Sequence, residues 1–224
     1  MINDFSVFDL VGTHAGLWCG VDLDATDMAN AVHVADVQKI PMISVAPGMV
    51  QTVWPWLENS CVKIMTRFYL EGEKISENQI SDITVRINTA LRQGASGAQV
   101  FLSYAALEEL VEQTYIVRDD LFFNKDLAIG MDISDVGPFD WENVFENLRK
   151  INASSVIFVF ARDDGNKSDF VGRIYAMLNA WGAENKFDLH FAFGPNFMRI
   201  EQAQRLVQQI RPNLVGQMCF WVNA

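Results

Sequence analysis

Residues 41–103 read PMISVAPGMVQTVWPWLENSCVKIMTRFYLEGEKISENQISDITVRINTALRQGASGAQVFLS, and the alternation in this stretch decides the fold. It contains three short apolar runs, 41–46 (PMISVA), 61–68 (CVKIMTRF) and 98–103 (AQVFLS). Runs of that length bounded by turn residues mark strands buried on both faces. Between the second and third, Ser76 and Gln79 form a capping-box pattern, Ile80, Ile83, Val85, Ile87 and Leu91 form a helical run, and Gly94 supplies a stop. Residues 49–57 are a second helical pattern, in which Pro55 is tolerated only near a helix start or at a kink. The stretch is therefore strand, helix, strand, helix, strand.

The pattern continues in both directions. Further runs lie at 17–24 (LWCGVDLD), 127–133 (LAIGMDI), 155–161 (SVIFVFA), 188–193 (DLHFAF) and 215–222 (VGQMCFWV), making eight candidate strands. Helical segments intervene: Thr26 begins one with Met28 and Val32, Asp140 can cap one with Trp141, Val144, Phe145 and Leu148, and Ser168 precedes Phe170, Ile174 and Leu178. Eight strands alternating with helices in 224 residues predict an α/β fold, a (β/α)8 TIM barrel occupying residues 1–224 as one domain. The competing open doubly wound sheet lacks its phosphate fingerprint here, since no GxGxxG or GxxxxGK[ST] follows the first strand. The eighth run ends near Asn223, so the barrel should lack its C-terminal eighth helix. Residues 4–11 (DFSVFDLV) or a second subunit would cover the gap, and a homo-oligomer is expected.

Composition limits the partners. A formal charge of -11 argues against a broad nucleic-acid footprint and against an anionic membrane surface. No apolar run approaches the roughly 20 residues of a membrane span, and the first residues lack the basic start of a signal peptide, so a cytoplasmic protein with a small-molecule ligand is expected. Cys19, Cys61 and Cys219 are an odd number, widely spaced in apolar surroundings, and read as buried thiols rather than disulfides or a zinc site.

Successive strand residues face opposite sides, so parity separates the helix-covered face from the lumen. One parity set is largely apolar, with Leu17, Ile43, Val45, Ile64, Phe68, Val100, Ile129, Met131, Leu189, Phe191, Phe220 and Val222. The other must face inward: it includes Trp18, Asp22, Asp24, Ser44, Lys63, Arg67, Gln99, Ser103, Asp132, Ser134, His190, Trp221 and Asn223. A lumen built only for stability would be mostly Val, Ile and Leu. Buried polar groups without partners are destabilising by about 1–3 kcal/mol each, so this set forms either a closed network or a solvated site at the C-terminal mouth.

The candidate chemistry follows from residue type. Asp22, Asp132 and His190 could work as acid and base on a carbonyl compound, ligate a divalent metal, or join a neutralised network with Lys63 and Arg67. Their spacing is not that of a local metal motif, and no metal or cofactor is expected. Lys63 is either a nucleophile with a lowered pKa or one half of an ion pair with Asp22 or a neighbouring acid. Arg67 is an anchor for a carboxylate or phosphate, or a surface partner of Glu71 or Glu73. Asp24, Gln99, Ser103, Ser134 and Asn223 complete the expected binding set, and Arg162-Asp163-Asp164-Gly165 reads as a mouth loop or an ordinary turn.

Four stretches resemble the deoxyribose-phosphate aldolase branch of the class I aldolases. ADVQKIPMISVAPGMV (35–50) is similar to that family's second helix-strand unit, VKIMTRFY (62–69) to its third strand, and TALRQGASGAQVFLSYAAL (89–107) to its third helix and fourth strand. FDLHFAFGPNFMRIEQAQRLV (187–207) looks like its seventh strand, loop and helix. The resemblance implies a Schiff-base lysine on the sixth strand, a second lysine on the seventh, and aspartates on the first and fourth. On this sequence those positions hold Ile157 (or Phe158), Ala192, Asp22 and Gln99, so the Schiff-base lysine is lost. The glycine-rich phosphate turn is reduced to Gly194-Pro195-Asn196-Phe197. A divergent aldolase-like barrel for a small carbonyl or sugar-like compound is thus expected, with a lyase, an acid-base isomerase or epimerase, and a non-catalytic binding or assembly module as the open alternatives.

Overall fold

The computed structural model describes residues 14–72, 74–113, 125–160, 167–193 and 197–224. They form a closed barrel of eight parallel strands in sequence order: β1 (Ala15–Trp18), β2 (Met42–Val45), β3 (Lys63–Tyr69), β4 (Gly97–Phe101), β5 (Asp126–Asp132), β6 (Ser155–Val159), β7 (Asp188–Ala192) and β8 (Met218–Asn223). An α-helix follows each of the first seven: α1 (Ala25–Val37), α2 (Val50–Leu57), α3 (Glu77–Arg92), α4 (Tyr104–Gln113), α5 (Trp141–Lys150), α6 (Lys167–Ala180) and α7 (Phe197–Ile210). The last strand, β8, ends at Asn223, where the eighth run of the sequence finishes.

The outer core lies between strands and helices. Leu17, Ile43, Val45, Ile129, Val156, Phe158, Leu189, Phe191 and Phe220 point outward onto buried helix residues such as Val53, Leu107, Trp141, Leu148, Ile174 and Ala203. The α3 start is built as its sequence predicts: the Gln79 amide donates to the Ser76 hydroxyl and the Ser76 amide to the Gln79 side chain at 2.9 Å. Residues 4–11 lie outside the described residues. The outward residues of β8, Met218, Phe220 and Val222, are buried.

Three local expectations are corrected. The first strand is Ala15–Trp18 rather than 17–24, because pairing with β2 stops at Trp18 and the chain turns outward, leaving Val21 72% exposed. Asp140 makes no side-chain cap to α5, since its carboxylate lies against Gly137. Cys61 is exposed, while Cys19 and Cys219 are buried as expected.

The strand register sorts the lumen into layers contributed by alternate strands. Gly16, Met65, Ala128 and His190 form a lower layer, Ser44, Gln99, Ile157 and Trp221 a middle one, and Trp18, Arg67, Gly130 and Ala192 an upper one. Glycines in these layers make room for rings. A Cβ at Gly16 would lie 2.6 Å from the Trp221 indole, and one at Gly130 would collide with Phe101.

Candidate functional site

The predicted site residues do not converge. The inward parity assigned to the strand positions Lys63, Arg67, Gln99, Asp132, His190 and Asn223 agrees with the register, but the barrel divides them between its two ends.

Arg67, the fifth residue of β3, occupies the upper lumen and is 8% exposed. Its Nη2 donates to the Cys19 carbonyl, and its guanidinium carbon stands 5.0 Å from the Trp18 ring centroid. Burial lowers its pKa, with partial relief from Tyr69 and Cys19. Of the alternative partners, Glu71 does not pair with it and Glu73 lies outside the described residues; among the described residues Arg67 has no carboxylate partner. Its Nε and the neighbouring Trp18 Nε1 are both buried without acceptors. Phe101, stacked with Tyr69 at 5.3 Å, lies on the mouth side of this pair. The arrangement can receive an oxygen-rich anion, because the guanidinium Nε and an indole N–H both lack an acceptor there.

The acids at the mouth have local duties. Asp24 caps α1, its Oδ1 accepting from the amides of Thr26 at 2.8 Å and Asp27 at 2.9 Å. Its sequence-expected place in the lumen is therefore corrected, as is that of Asp22, which lies exposed in the turn before α1. Asp132 ends β5, half-buried, and accepts from the Ser134 amide at 2.8 Å. Ser134 sits in a short turn whose carbonyl accepts from Arg173 at 3.0 Å. Ser103 stands just before α4, its hydroxyl accepting from the Ala106 amide at 3.2 Å, and Asn223 is exposed at the end of β8. The loop at 162–165 and the turn at 194–196 lie outside the described residues.

Lys63, Gln99 and His190 belong to the other half of the lumen. Lys63 begins β3 at the N-terminal end and pairs at 2.7 Å with Asp126, in an exposed ion pair remote from the mouth acids. The partner is Asp126 rather than Asp22. His190 is buried, which lowers its pKa to about 4 against a smaller opposing pull from Asp126, and its Nδ1 accepts from the Trp221 indole at 3.3 Å. Gln99 is fully buried; its Oε1 accepts from the Ser44 hydroxyl at 2.6 Å. An acid-base set of Asp22, Asp132 and His190 is thus not assembled. Among the described residues no group of three His, Cys, Asp or Glu is placed to hold a metal.

Sequence reasoning missed Asp126 and Asp188, which accompany Lys63 and His190 at the N-terminal end. Asp188 has the parity of His190, and that signal would have placed it inward. Asp126 stands one residue before the run beginning at 127.

The closed ring of eight parallel strands with helices between them defines the class, an α/β TIM barrel. Deoxyribose-phosphate aldolases are among the solved structures that it resembles. A tetrameric one from Aeropyrum pernix superposes with a TM-score of 0.68 at 12% identity, covering 96% of this chain and 86% of that one. A protein provisionally assigned to the same activity, from Coccidioides immitis, gives 0.67 at 11% identity, covering 96% and 81%. A provisional copper homeostasis protein CutC from Streptococcus agalactiae gives 0.63 at 9% identity, covering 92% and 97%. No family model matches the sequence, and no curated protein matches it. At such identities the likeness is one of fold, and a barrel fold carries many unrelated activities. No helix among the described residues is long and apolar enough to cross a membrane.

Proposed function

We propose that this barrel binds a small polar, anion-bearing carbonyl or sugar-like compound at its C-terminal mouth, with Arg67 as the anchor, and that it does so without a Schiff base. The observation that carries the reading is the Arg67 guanidinium, 8% exposed with no carboxylate partner among the described residues. A buried cation is strongly disfavoured unless paired, and a ligand carboxylate or phosphate would pair it. Trp18 Nε1, also without an acceptor, adds a second donor of the kind an anion oxygen takes. The aldolases among the structural neighbours supply the substrate class, a phosphorylated sugar among its members.

Binding is favoured over turnover by what stands at the catalytic positions of the resemblance. Ile157 and Ala192 are buried and apolar where lysines would be needed, which leaves no amine for a Schiff base at those two positions. Asp132 remains as the acid-base group for an isomerase or lyase reaction, with Ser134 holding its carboxylate. Self-association, the remaining part of the proposal, rests on the tetrameric neighbour and is read from the light-scattering mass.

Thermal shift measurements with 2-deoxyribose 5-phosphate, inorganic phosphate, pyruvate and uncharged 2-deoxyribose test the anchor. At least one anionic probe should raise Tm in a saturable way, the uncharged sugar should not, and Arg67→Met should abolish the response. No response to any anion, or an equal response from R67M, would overturn the reading.

A further inference from the structure

Among the described residues the lumen is open at the end opposite the mouth. A cavity of about 260 Å³ enters between β2, β3, β5 and β7, with Met42, Met65, Ala128 and Trp221 in its walls and Gln99 among its lining residues. A second hollow of about 300 Å³ adjoins it through Pro41, Met42, Asp188 and His190. Barrel interiors are ordinarily filled by side chains, so a hollow of roughly eight water volumes at the end of one has room for a small occupant.

We propose that this N-terminal cavity is a second ligand site, for a small amine that also carries a hydroxyl or carbonyl oxygen. The oxygen is called for by two donors. Gln99 spends its Oε1 on Ser44, and its Nε2, fully buried, has no partner. His190 accepts at Nδ1 from Trp221, so the neutral ring carries its proton on Nε2. An unpaired buried N–H is unfavourable, and an oxygen acceptor between these side chains relieves it.

The amine follows from charge at the cavity's outer end. Asp126 and Asp188 line it with Lys63 as the one cation among the described residues, and Lys63 is bonded to Asp126. Among the described residues no cation is bonded to Asp188, and its pKa is raised by burial and by Asp126 against a smaller opposing pull from Lys63. An ammonium group beside Asp188 stabilises its carboxylate, whereas an anion would meet two carboxylates. Neutral donors within and acidic residues without therefore select an amino alcohol or amino amide over a carboxylate.

The test uses the ¹⁵N-labelled full chain at pH 7, titrated with ethanolamine, ethylene glycol and acetate while the Trp221 indole N–H and the Gln99 side-chain amide are followed by NMR. Ethanolamine should shift both signals in a saturable way with a Kd in the millimolar range, and acetate should not. Asp188→Asn, at the exposed end of the cavity, should weaken ethanolamine about tenfold while leaving the amide spectrum otherwise folded, and Gln99→Met should remove the Trp221 response. Absence of saturable shifts with ethanolamine, equal binding of acetate, or unchanged affinity in D188N would each overturn the proposal.

Discussion

The indole N–H of Trp221 donates to Nδ1 of His190 at 3.3 Å, joining β8 to β7 inside the lower lumen. The bond fixes a neutral imidazole, and burial holds its pKa near 4, below the ordinary 6.5. In the unfolded chain the ring protonates near pH 6.5; in the barrel it resists until about pH 4. Between those values the unfolded state binds more protons, so stability falls as the pH is lowered through that window, by ~3 kcal/mol at most. The raised pKa of Asp188 acts in the opposite sense at the acid end of the window. Urea unfolding at pH 7.5, 6, 5 and 4 should show the decline for the wild type and a flatter profile for His190→Asn, which keeps an acceptor for Trp221.

Gly97 is the tightest backbone position in the lower lumen. A Cβ there would collide with the Asp126 carbonyl on the neighbouring strand and come within 2.8 Å of the Met65 methyl. Backbone cannot rotate away as a flexible side chain can, so Gly97→Ala should be destabilising by about 1–3 kcal/mol. Gly48, with nothing near its Cβ position, is the control, and Gly48→Ala should leave Tm within a few degrees of the wild type.

Strand number and strand parity were legible because each is carried by single runs of sequence. The runs 127–133 and 155–161 contain β5 and β6 to within a residue or two, and the inward set included Arg67, Gln99 and His190. Height along the barrel axis was legible only in part, as for Lys63 and Arg67 at the two ends of one run. It depends on how neighbouring strands are staggered, so His190 and Arg67, alike in parity, lie in different layers. The end of β1 was misread for another reason: Val21 and Leu23 continue the alternation of LWCGVDLD past the last paired residue, although the segment is a turn leading to the Asp24 cap. The buried Arg67–Trp18 contact joins two strands and has no signature in either one.

Lys63 supplies a test of the lost Schiff base. Its side chain is 55% exposed and bonded to Asp126 at the end of the barrel remote from Arg67. Borohydride reduction with glycolaldehyde, acetaldehyde or pyruvate should leave no adduct on a lumen lysine by peptide mass mapping. An adduct confined to Lys63 would restore the covalent mechanism. As an exposed pair, Lys63 and Asp126 should couple by about 1 kcal/mol or less in a double-mutant cycle read by urea unfolding.

Asp22 and Asp24 separate a catalytic reading of the first loop from a structural one. Asp24 accepts two amide hydrogen bonds at the start of α1, whereas Asp22 is exposed in the preceding turn. Loss of an N-cap carboxylate removes the acceptor for two helix-end amides and is destabilising by about 1 kcal/mol. Asp24→Ala should therefore lower Tm by several degrees, and Asp24→Ser, which keeps a capping oxygen, should recover most of the loss. Asp22→Ala should leave both Tm and the anion response of Arg67 unchanged. If D22A instead abolished that response while folding normally, Asp22 would have to turn inward when ligand binds, and the acid-base reading of the mouth would regain its missing carboxylate.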